Sequence, residues 1–177
     1  RGAEEIVEMA ETFRRWRGAT RGEYTTAGVE EPFQFDVPGD VRVRGRIDRL
    51  EATGAGQVVP VDIKTGRTAA TKADALVHPQ LALYQLAVTR GAVESAADRE
   101  PGGGLLLYVA GREGKSATER VQDPLGSETA EALTERIVDA GHSTLGPGYT
   151  ARVGPWCDHC HVKSSCPAQP EGEQVIG

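Results

Sequence analysis

Two acidic residues and one lysine, close to the ends of two predicted strands, are the residues in this chain whose types and spacing best suit chemistry. The stretch VVPVDIKTG, residues 58–66, runs from apolar residues into Asp62 and Lys64. Side chains alternate between the two faces of a strand, so Asp62 and Lys64 share one face. An earlier alternating stretch, residues 41–51, carries Asp48 near its end. The charged side chains therefore face a site separate from the apolar core.

A hairpin between these two stretches would bring the acidic residues together. A turn at residues 54–56 places Asp48 directly opposite Asp62, because the two positions are symmetric about its centre. Opposed residues have Cβ atoms about 4.5–5.5 Å apart, so two carboxylates there repel one another. A divalent cation such as Mg²⁺ relieves that repulsion, and Lys64 can then stabilise developing negative charge. The alternative is a set of cross-strand ion pairs, with Lys64 offsetting Asp62 and an arginine offsetting Asp48.

Charge is distributed unevenly along the chain. The formal net charge is -6, but residues 42–72 hold seven Lys/Arg and three Asp/Glu, which is +4, so the remainder carries -10. A local basic region on an acidic protein is compatible with a phosphate-bearing ligand, and a pair of solvated charged strands is the alternative. No apolar run approaches the roughly 20 residues of a membrane span, and no signal peptide is visible. We therefore expect a cytoplasmic protein without membrane contact.

The periodicity of the chain predicts an α/β fold with a mixed central sheet flanked by helices. The first helix is expected over residues 3–17, where the residues at helical spacing are Ile6, Val7, Ala10 and Phe13. Alternating stretches bounded by Gly and Pro predict strands over residues 29–37, 41–51, 57–64, 102–111 and 118–122. Residues 65–77 are predicted to be a polar loop. Capping and breaking residues predict two further helices, from Pro79 to about residue 90 and from Ser127 to about residue 140.

All three cysteines of the chain lie close together near its end. The segment PWCDHCHVKSSCP carries them at Cys157, Cys160 and Cys166, and the odd count does not make a complete disulfide framework. Thiolates in a short irregular segment can bind one soft metal centre. Zinc with His159 or His161 as the fourth ligand, a [4Fe-4S] cluster with a further cysteine, and a reduced tail without a ligand all fit this spacing.

Three segments, taken in order, resemble the PD-(D/E)XK nuclease superfamily. They are GRIDRLE (residues 45–51), VVPVDIKTG and HPQLALYQLA (residues 78–87). They look most like the RecB-type nuclease domain at the C-terminus of bacterial helicase-nucleases of the RecB, AddAB and AdnAB kind. That domain carries G-x-x-D, D-x-K and Q-x-x-x-Y in this order. The resemblance covers roughly residues 1–170 and implies a restriction-endonuclease-like fold.

The resemblance also implies roles for individual residues. Asp48 and Asp62 would bind Mg²⁺ or Mn²⁺, with the backbone carbonyl of Ile63 as a third ligand, and Lys64 would be the catalytic lysine. The two remaining residues, four apart on one helix face, would support the site or contact a DNA strand: Gln80 and Tyr84. The implied reaction is metal-dependent hydrolysis of phosphodiester bonds. The resemblance places it in single-strand or exonucleolytic end processing by a helicase-nuclease of recombinational double-strand-break repair.

The implied partners are DNA and a helicase motor domain, in the same polypeptide or complex, and any use of ATP belongs to that motor. The resemblance favours the [4Fe-4S] cluster, because several RecB-like nucleases hold one through C-x2-C-x5-C and a fourth cysteine upstream of the core. This chain lacks that cysteine and the upstream helix with G-x-x-x-H, so we expect the parent protein to continue upstream. Residues 1–150 are expected to form the nuclease core and residues 151–177 a tail packed on it. The alternatives are an inactive DNA-binding or structural module of such a complex and a zinc-stabilised partner-binding domain.

Overall fold

The helices and strands that the sequence predicts are present in the predicted order, together with one further short helix. The computed structural model describes residues 2–110, 116–146, 148, 150–170 and 172. The elements are α1 (Ala3–Ala19), β1 (Tyr24–Val37), β2 (Val41–Thr53), β3 (Val58–Lys64), α2 (Lys72–Leu76), α3 (Pro79–Thr89), β4 (Gly104–Tyr108), β5 (Thr118–Gln122) and α4 (Ser127–Ser143). Short 3-10 turns occur at Glu94–Ala96, Pro155–His159 and Lys163–Ser165. The predicted loop 65–77 contains α2, which the Thr71 side chain caps by accepting a hydrogen bond from the Asp74 backbone N–H.

The strands form one mixed sheet in the order β1-β2-β3-β4-β5. The β3–β4 pair is parallel, and the other neighbouring pairs are antiparallel. This sheet with its flanking helices confirms the predicted α/β class. The chain divides into two compact units, residues 1–138 and residues 139–177. The sheet belongs to the first unit, while the packing of the cysteine-containing tail on the core stays a prediction.

The predicted hairpin between β2 and β3 is present in the predicted register. Arg49 pairs with Val61, and Ala52 pairs with Val58. The Thr53 N–H donates to the Gln57 carbonyl at 2.9 Å and closes the turn. Because the register is symmetric about residue 55, its continuation by one residue puts the positions of Asp48 and Asp62 side by side.

The two faces of the sheet are covered by different helices. Val59, Val61, Leu105 and Leu107 belong to a buried cluster that includes Met9 and Trp16 of α1. Their alternate neighbours in the strands belong to the other buried cluster, together with residues of α3: Val58, Leu106, Leu81 and Leu86. Asp62 and Lys64 share the face of Val58 because side chains alternate along β3. The site residues of β3 therefore face α3.

The first helix begins at the predicted residue and continues two residues further, to Ala19, but it buries a different face. The apolar residues Ile6 and Val7 are 56% and 61% exposed, whereas Met9, Thr12 and Trp16 are buried. Burial of a large indole outweighs burial of a small aliphatic group, and the Trp16 indole N–H also donates to Glu119 of β5. Polar contacts hold the same face to the sheet, since Arg17 Nη1 lies 3.6 Å from Oε1 of the fully buried Glu51. The helix therefore presents its aromatic and polar side to the sheet.

None of the helices in the described part of the chain has the length and apolar character that a membrane crossing requires.

Candidate active site

Asp62 is a buried carboxylate on the α3 face of β3. The residue is 3% exposed. Its Oδ2 atom lies 2.6 Å from Nζ of Lys64, in an ion pair that lacks hydrogen-bond geometry. No hydrogen-bond donor in the described residues reaches that oxygen. A buried carboxylate oxygen without a donor retains lone pairs for a further cationic partner.

Asp48 lies on the neighbouring strand and is bound to the end of β3. Its Oδ2 atom accepts a hydrogen bond from the Ile63 backbone N–H at 2.9 Å. Burial raises the pKa of Asp48, the Ile63 hydrogen bond opposes that rise, and the charge of Asp62 adds to it. The protein thus holds this carboxylate in surroundings that disfavour its negative charge. A cation within reach of both carboxylates would offset that penalty.

The backbone of Ile63 faces β2. The Val109 N–H donates to the Lys64 carbonyl at 3.0 Å, so the backbone groups of Lys64 face β4. Successive residues of a strand direct their backbone groups to opposite sides, which directs the Ile63 carbonyl to the side of Asp48. The three oxygen ligands that the resemblance implies, from Asp48, Asp62 and Ile63, therefore occur at one end of the β2–β3 hairpin.

This donor set suits a hard divalent cation that keeps part of its water shell. Within the described part of the chain, no group of three or more His, Cys, Asp and Glu side chains could hold a metal ion. A cation here would have two carboxylates, one backbone carbonyl and water as ligands. Mg²⁺ is commonly bound by one or two carboxylates with several retained waters. The residues present therefore fit the implied metal.

A series of hydrogen bonds connects Lys64 to α3. Lys64 Nζ donates to Gln80 Oε1 at 2.9 Å, and Gln80 Nε2 donates to the Tyr84 hydroxyl at 2.8 Å. Burial raises the pKa of Tyr84, the Gln80 hydrogen bond lowers it, and the charges of Asp62 and Asp48 raise it further. The phenol is therefore neutral at physiological pH. The structure fixes the ammonium between a carboxylate and an oriented amide, and it brings four of the predicted site side chains into one connected group.

His78 is a neighbour of the site that the sequence interpretation left outside it. It is the N-cap residue of α3, and its side chain does not cap the helix. Its buried Nδ1 atom has no hydrogen-bond partner among the described residues. Burial lowers the pKa of His78, Lys64 lowers it further, and Asp62 raises it. The available signal was its position directly before Pro79, which fixes the start of the helix that carries Gln80.

Ion pairs neutralise most of the basic region identified from the sequence. Four of its arginines pair with acidic residues: Arg42 with Asp36, Arg46 with Glu30, Arg49 with Glu51 and Arg67 with Glu5. Among the residues that the structure describes, Arg44 and Lys72 are the members of this region without an ion pair. Ion pairs therefore account for most of the positive charge in this region, and the region is weak support for phosphate binding.

The cysteines lie in the unit of residues 139–177. Cys157 and Cys166 are half-buried, Cys160 is exposed, and all three are free. The Gly154 backbone nitrogen lies 3.3 Å from Cys157 Sγ, and Cys157 belongs to the 3-10 turn at Pro155–His159. They supply three of the four thiolates that a [4Fe-4S] cluster takes, and they belong to no group that could hold a metal in the described chain. The residues present do not complete such a centre, so the cluster and its zinc alternative stay predictions.

Gly45 of β2 leaves space for the Phe33 ring, which packs against Tyr84 of the candidate site. It pairs with Phe33, and a Cβ atom added at Gly45 would lie 2.5 Å from the Phe33 ring. That ring is buried and packs edge-on against Tyr84, with centroids 6.0 Å apart. Gly45→Ala is therefore expected to lower the free energy of unfolding by about 1–3 kcal/mol through overpacking. Urea denaturation followed by circular dichroism measures this change.

The matched control is Gly54→Ala in the β2–β3 turn. Nothing lies within 4 Å of a Cβ atom added there. Its effect on the free energy of unfolding is expected to stay within about 0.5 kcal/mol. Equal destabilisation by both substitutions would show that the Phe33 contact does not set the outcome.

Comparisons with known proteins agree on the type of fold and give the family. The solved structure described as "Crystal structure of SSO0001" is similar in fold, with a TM-score of 0.50 and 20% sequence identity, over 95% of this chain and 72% of that chain. No curated protein matches this chain. The mixed five-stranded sheet with its flanking helices is consistent with a restriction-endonuclease-like fold, and the model of the PD-(D/E)XK nuclease superfamily matches residues 2–167. Because this match spans nearly the whole sequence, the chain belongs to the PD-(D/E)XK nuclease superfamily.

Proposed function

We propose that this chain is a metal-dependent DNA nuclease domain that hydrolyses phosphodiester bonds. The observation that carries the proposal is the contact between the buried Asp62 carboxylate and Lys64, at 2.6 Å, beside the second carboxylate of Asp48. Membership of a nuclease superfamily supports the same reaction class. A sheet does not gain stability from two neighbouring carboxylates with buried surroundings. Function is the better reason for their placement.

The carboxylates of Asp48 and Asp62 and the carbonyl of Ile63 would hold Mg²⁺ or Mn²⁺. Such an ion, when bound, activates water and neutralises charge on the scissile phosphate. Asp62 also orients Lys64 through the ion pair described above. Asp62, Ile63 and Lys64 are therefore consecutive residues of β3, and Asp48 joins them from the neighbouring strand β2.

Lys64 stabilises the negative charge that develops on the phosphate. Its ammonium is already oriented by Asp62 and by the Gln80 side-chain oxygen, and Tyr84 orients the amide of Gln80. A preoriented cation loses little conformational freedom as the transition state forms, which is the basis of electrostatic catalysis. Gln80 and Tyr84 thus act by fixing the position of Lys64.

We further propose that this domain processes DNA ends, on single strands or exonucleolytically, within a RecB-type helicase-nuclease of double-strand-break repair. The support is the order of the three motifs, GRID, VDIK and the Q-x-x-x-Y helix. A motor domain would separate the strands, and this domain would cut them as they emerge. A cysteine outside these residues would complete a [4Fe-4S] centre with Cys157, Cys160 and Cys166.

The test compares wild type with Lys64→Ala on a labelled single-stranded oligonucleotide in Mg²⁺ or Mn²⁺. We expect Lys64→Ala to lower kcat by about 10²-fold to 10³-fold, which is the loss measured when one preoriented transition-state donor is removed. Lys72→Ala is the matched control, because it removes the same charge from an exposed residue without an ion pair in the described chain. We expect it to retain wild-type activity.

Equal cleavage by wild type and Lys64→Ala would remove Lys64 from the mechanism. DNA binding without cleavage under any of these conditions would favour the inactive DNA-binding module instead.

A further inference from the structure

Two buried glutamines connect the edge strand β5 to the corner between α2 and α3. Gln122 of β5 is 4% exposed, and Gln85 of α3 is fully buried. Gln122 Nε2 lies 3.1 Å from each of three backbone carbonyls: Ala75, Leu76 and His78. These carbonyls lie where α2 ends, and the last carbonyls of a helix have no partner further along the same helix. One side-chain amide therefore contacts three carbonyls of this corner, two of which also accept backbone hydrogen bonds.

The second amide completes this network. Gln85 Nε2 donates to Gln122 Oε1 at 3.0 Å and to the Asp123 carbonyl at 3.1 Å. Gln85 Oε1 accepts from the Leu125 N–H at 2.9 Å. All the side-chain polar atoms of both glutamines therefore have partners. A buried network that is fully satisfied is rigid and allows one arrangement of its members.

The corner that this network holds leads directly into the candidate active site. His78 is the N-cap residue of α3, and its carbonyl also accepts from the Ala82 N–H at 3.1 Å. Its position therefore sets where the first turn of α3 begins. Gln80 lies in that turn and accepts the hydrogen bond from Lys64. A displacement of the corner would displace Gln80 and release the lysine.

We propose that Gln122 is a positioning residue for the reaction proposed above. It acts through the α2–α3 corner on Gln80, and through Gln80 on the ammonium of Lys64. An apolar residue of similar size would fill the same space without the desolvation of an amide. The three carbonyl contacts explain why an amide occupies this buried position, which packing alone does not explain. This inference rests on the proposed function, so its test includes a measurement that does not use cleavage.

The principal variant is Gln122→Met, which keeps the length of the side chain and removes its donors. We expect kcat on a single-stranded oligonucleotide to fall by about 10-fold to 100-fold, as misplacement of a catalytic group by about 1 Å does. KM should stay within about twofold, because Gln122 contacts backbone carbonyls of the corner. Met9→Ala, on α1 at the opposite face of the sheet, is the control for lost stability. At a temperature where both variants are folded, Met9→Ala should keep the wild-type kcat.

A double-mutant cycle locates the effect. If Gln122 acts through Gln80, adding Gln122→Met to a Gln80→Ala chain should change kcat by less than about twofold. Full additivity of the two substitutions would overturn the inference. If Gln122→Met does not fold, Gln122→Asn replaces it, because the shorter amide cannot reach all three carbonyls and should also lower kcat.

The measurement that does not use cleavage is the side-chain amide resonance of Gln80 in ¹⁵N-labelled protein. We expect this resonance to shift in Gln122→Met and to stay unchanged in Met9→Ala. An unchanged resonance, or an unchanged kcat in a folded Gln122→Met protein, overturns the positioning role. If the wild-type chain does not cleave DNA, the proposed function is overturned. If the Gln80 resonance still shifts in Gln122→Met in that case, the positioning of Gln80 by Gln122 stands.

Discussion

Removal of divalent cations is expected to abolish cleavage of single-stranded DNA, with a fall of at least about 10³-fold in rate. A bound ion supplies several kcal/mol of transition-state stabilisation, and each 1.36 kcal/mol corresponds to about a tenfold change in rate. The protein is dialysed against EDTA, and the cleavage of a labelled oligonucleotide is measured before and after Mg²⁺ or Mn²⁺ is returned. Undiminished cleavage in EDTA would contradict the assignment of Asp48 and Asp62 as metal ligands.

The same cations should stabilise the folded chain, which gives a readout independent of DNA. A ligand that binds the folded state alone stabilises it by about 2.7 kcal/mol at a concentration of 100 times its Kd. We therefore expect the melting temperature to rise with Mg²⁺ or Mn²⁺ in wild type. Asp40→Asn, which changes an exposed carboxylate in the β1–β2 turn, should keep the full rise.

Asp48→Asn is expected to lower kcat by about 10³-fold and, without metal, to make the chain more stable than wild type at neutral pH. The loss of activity is expected because Asp48 is one of the proposed metal ligands. The gain in stability follows from the surroundings of the carboxylate, because burial and the nearby Asp62 raise its pKa. Asparagine keeps the shape and a carbonyl oxygen for the Ile63 N–H without carrying charge.

The direction of the pH dependence follows from that raised pKa. A carboxyl group whose pKa is higher in the folded than in the unfolded chain favours folding while it is protonated. Its contribution is complete below the ordinary value of 3.8 and is lost as pH rises through the folded pKa. The stability advantage of Asp48→Asn should therefore be present at neutral pH and disappear on acidification. Urea denaturation of both proteins in EDTA, across this range, measures it.

The control for Asp48→Asn is again Asp40→Asn, which makes the same chemical change on β1–β2. Asparagine tolerates the positive φ of 57° at that position. A gain in stability by both variants would attribute the effect to net charge rather than to the site. A wild-type rate in Asp48→Asn would exclude the carboxylate from the reaction.

The hairpin and its acidic residues could be predicted from the sequence because they depend on local rules. Side-chain alternation and a Gly-rich turn determine the β2–β3 register, and the register determines which carboxylates become neighbours. The contacts that Lys64 makes with Gln80 depend on how α3 lies over the sheet, and spacing alone does not determine them. The resemblance to a known family implies that both residues belong to one site. In the structure, Lys64 Nζ lies 2.9 Å from Gln80 Oε1.

The features that the sequence interpretation missed depend on packing between distant elements. Burial of Trp16 rather than Ile6 decided the orientation of α1, and the helical spacing of both residues is compatible with either choice. Arginines of β2 form ion pairs with acidic residues, and the alternation of side chains along the strand does not predict which acidic residues these are. Gln122 is the last residue of β5, and the sequence pattern does not reveal that its side chain contacts the backbone carbonyls of the α2–α3 corner.

The hydrogen bonds around the corner differ greatly in the length of chain that they close. The Lys64–Gln80 bond joins residues 16 apart, while the Gln122–Ala75 bond joins residues 47 apart. Loop-closure entropy grows only with the logarithm of loop length, so the longer closure costs only about 1 kcal/mol more. Distance along the chain is therefore a small thermodynamic obstacle to recruiting a supporting side chain. An edge strand far from the motifs can therefore orient a residue of the candidate site at almost the same entropic cost as a residue close to it in the chain.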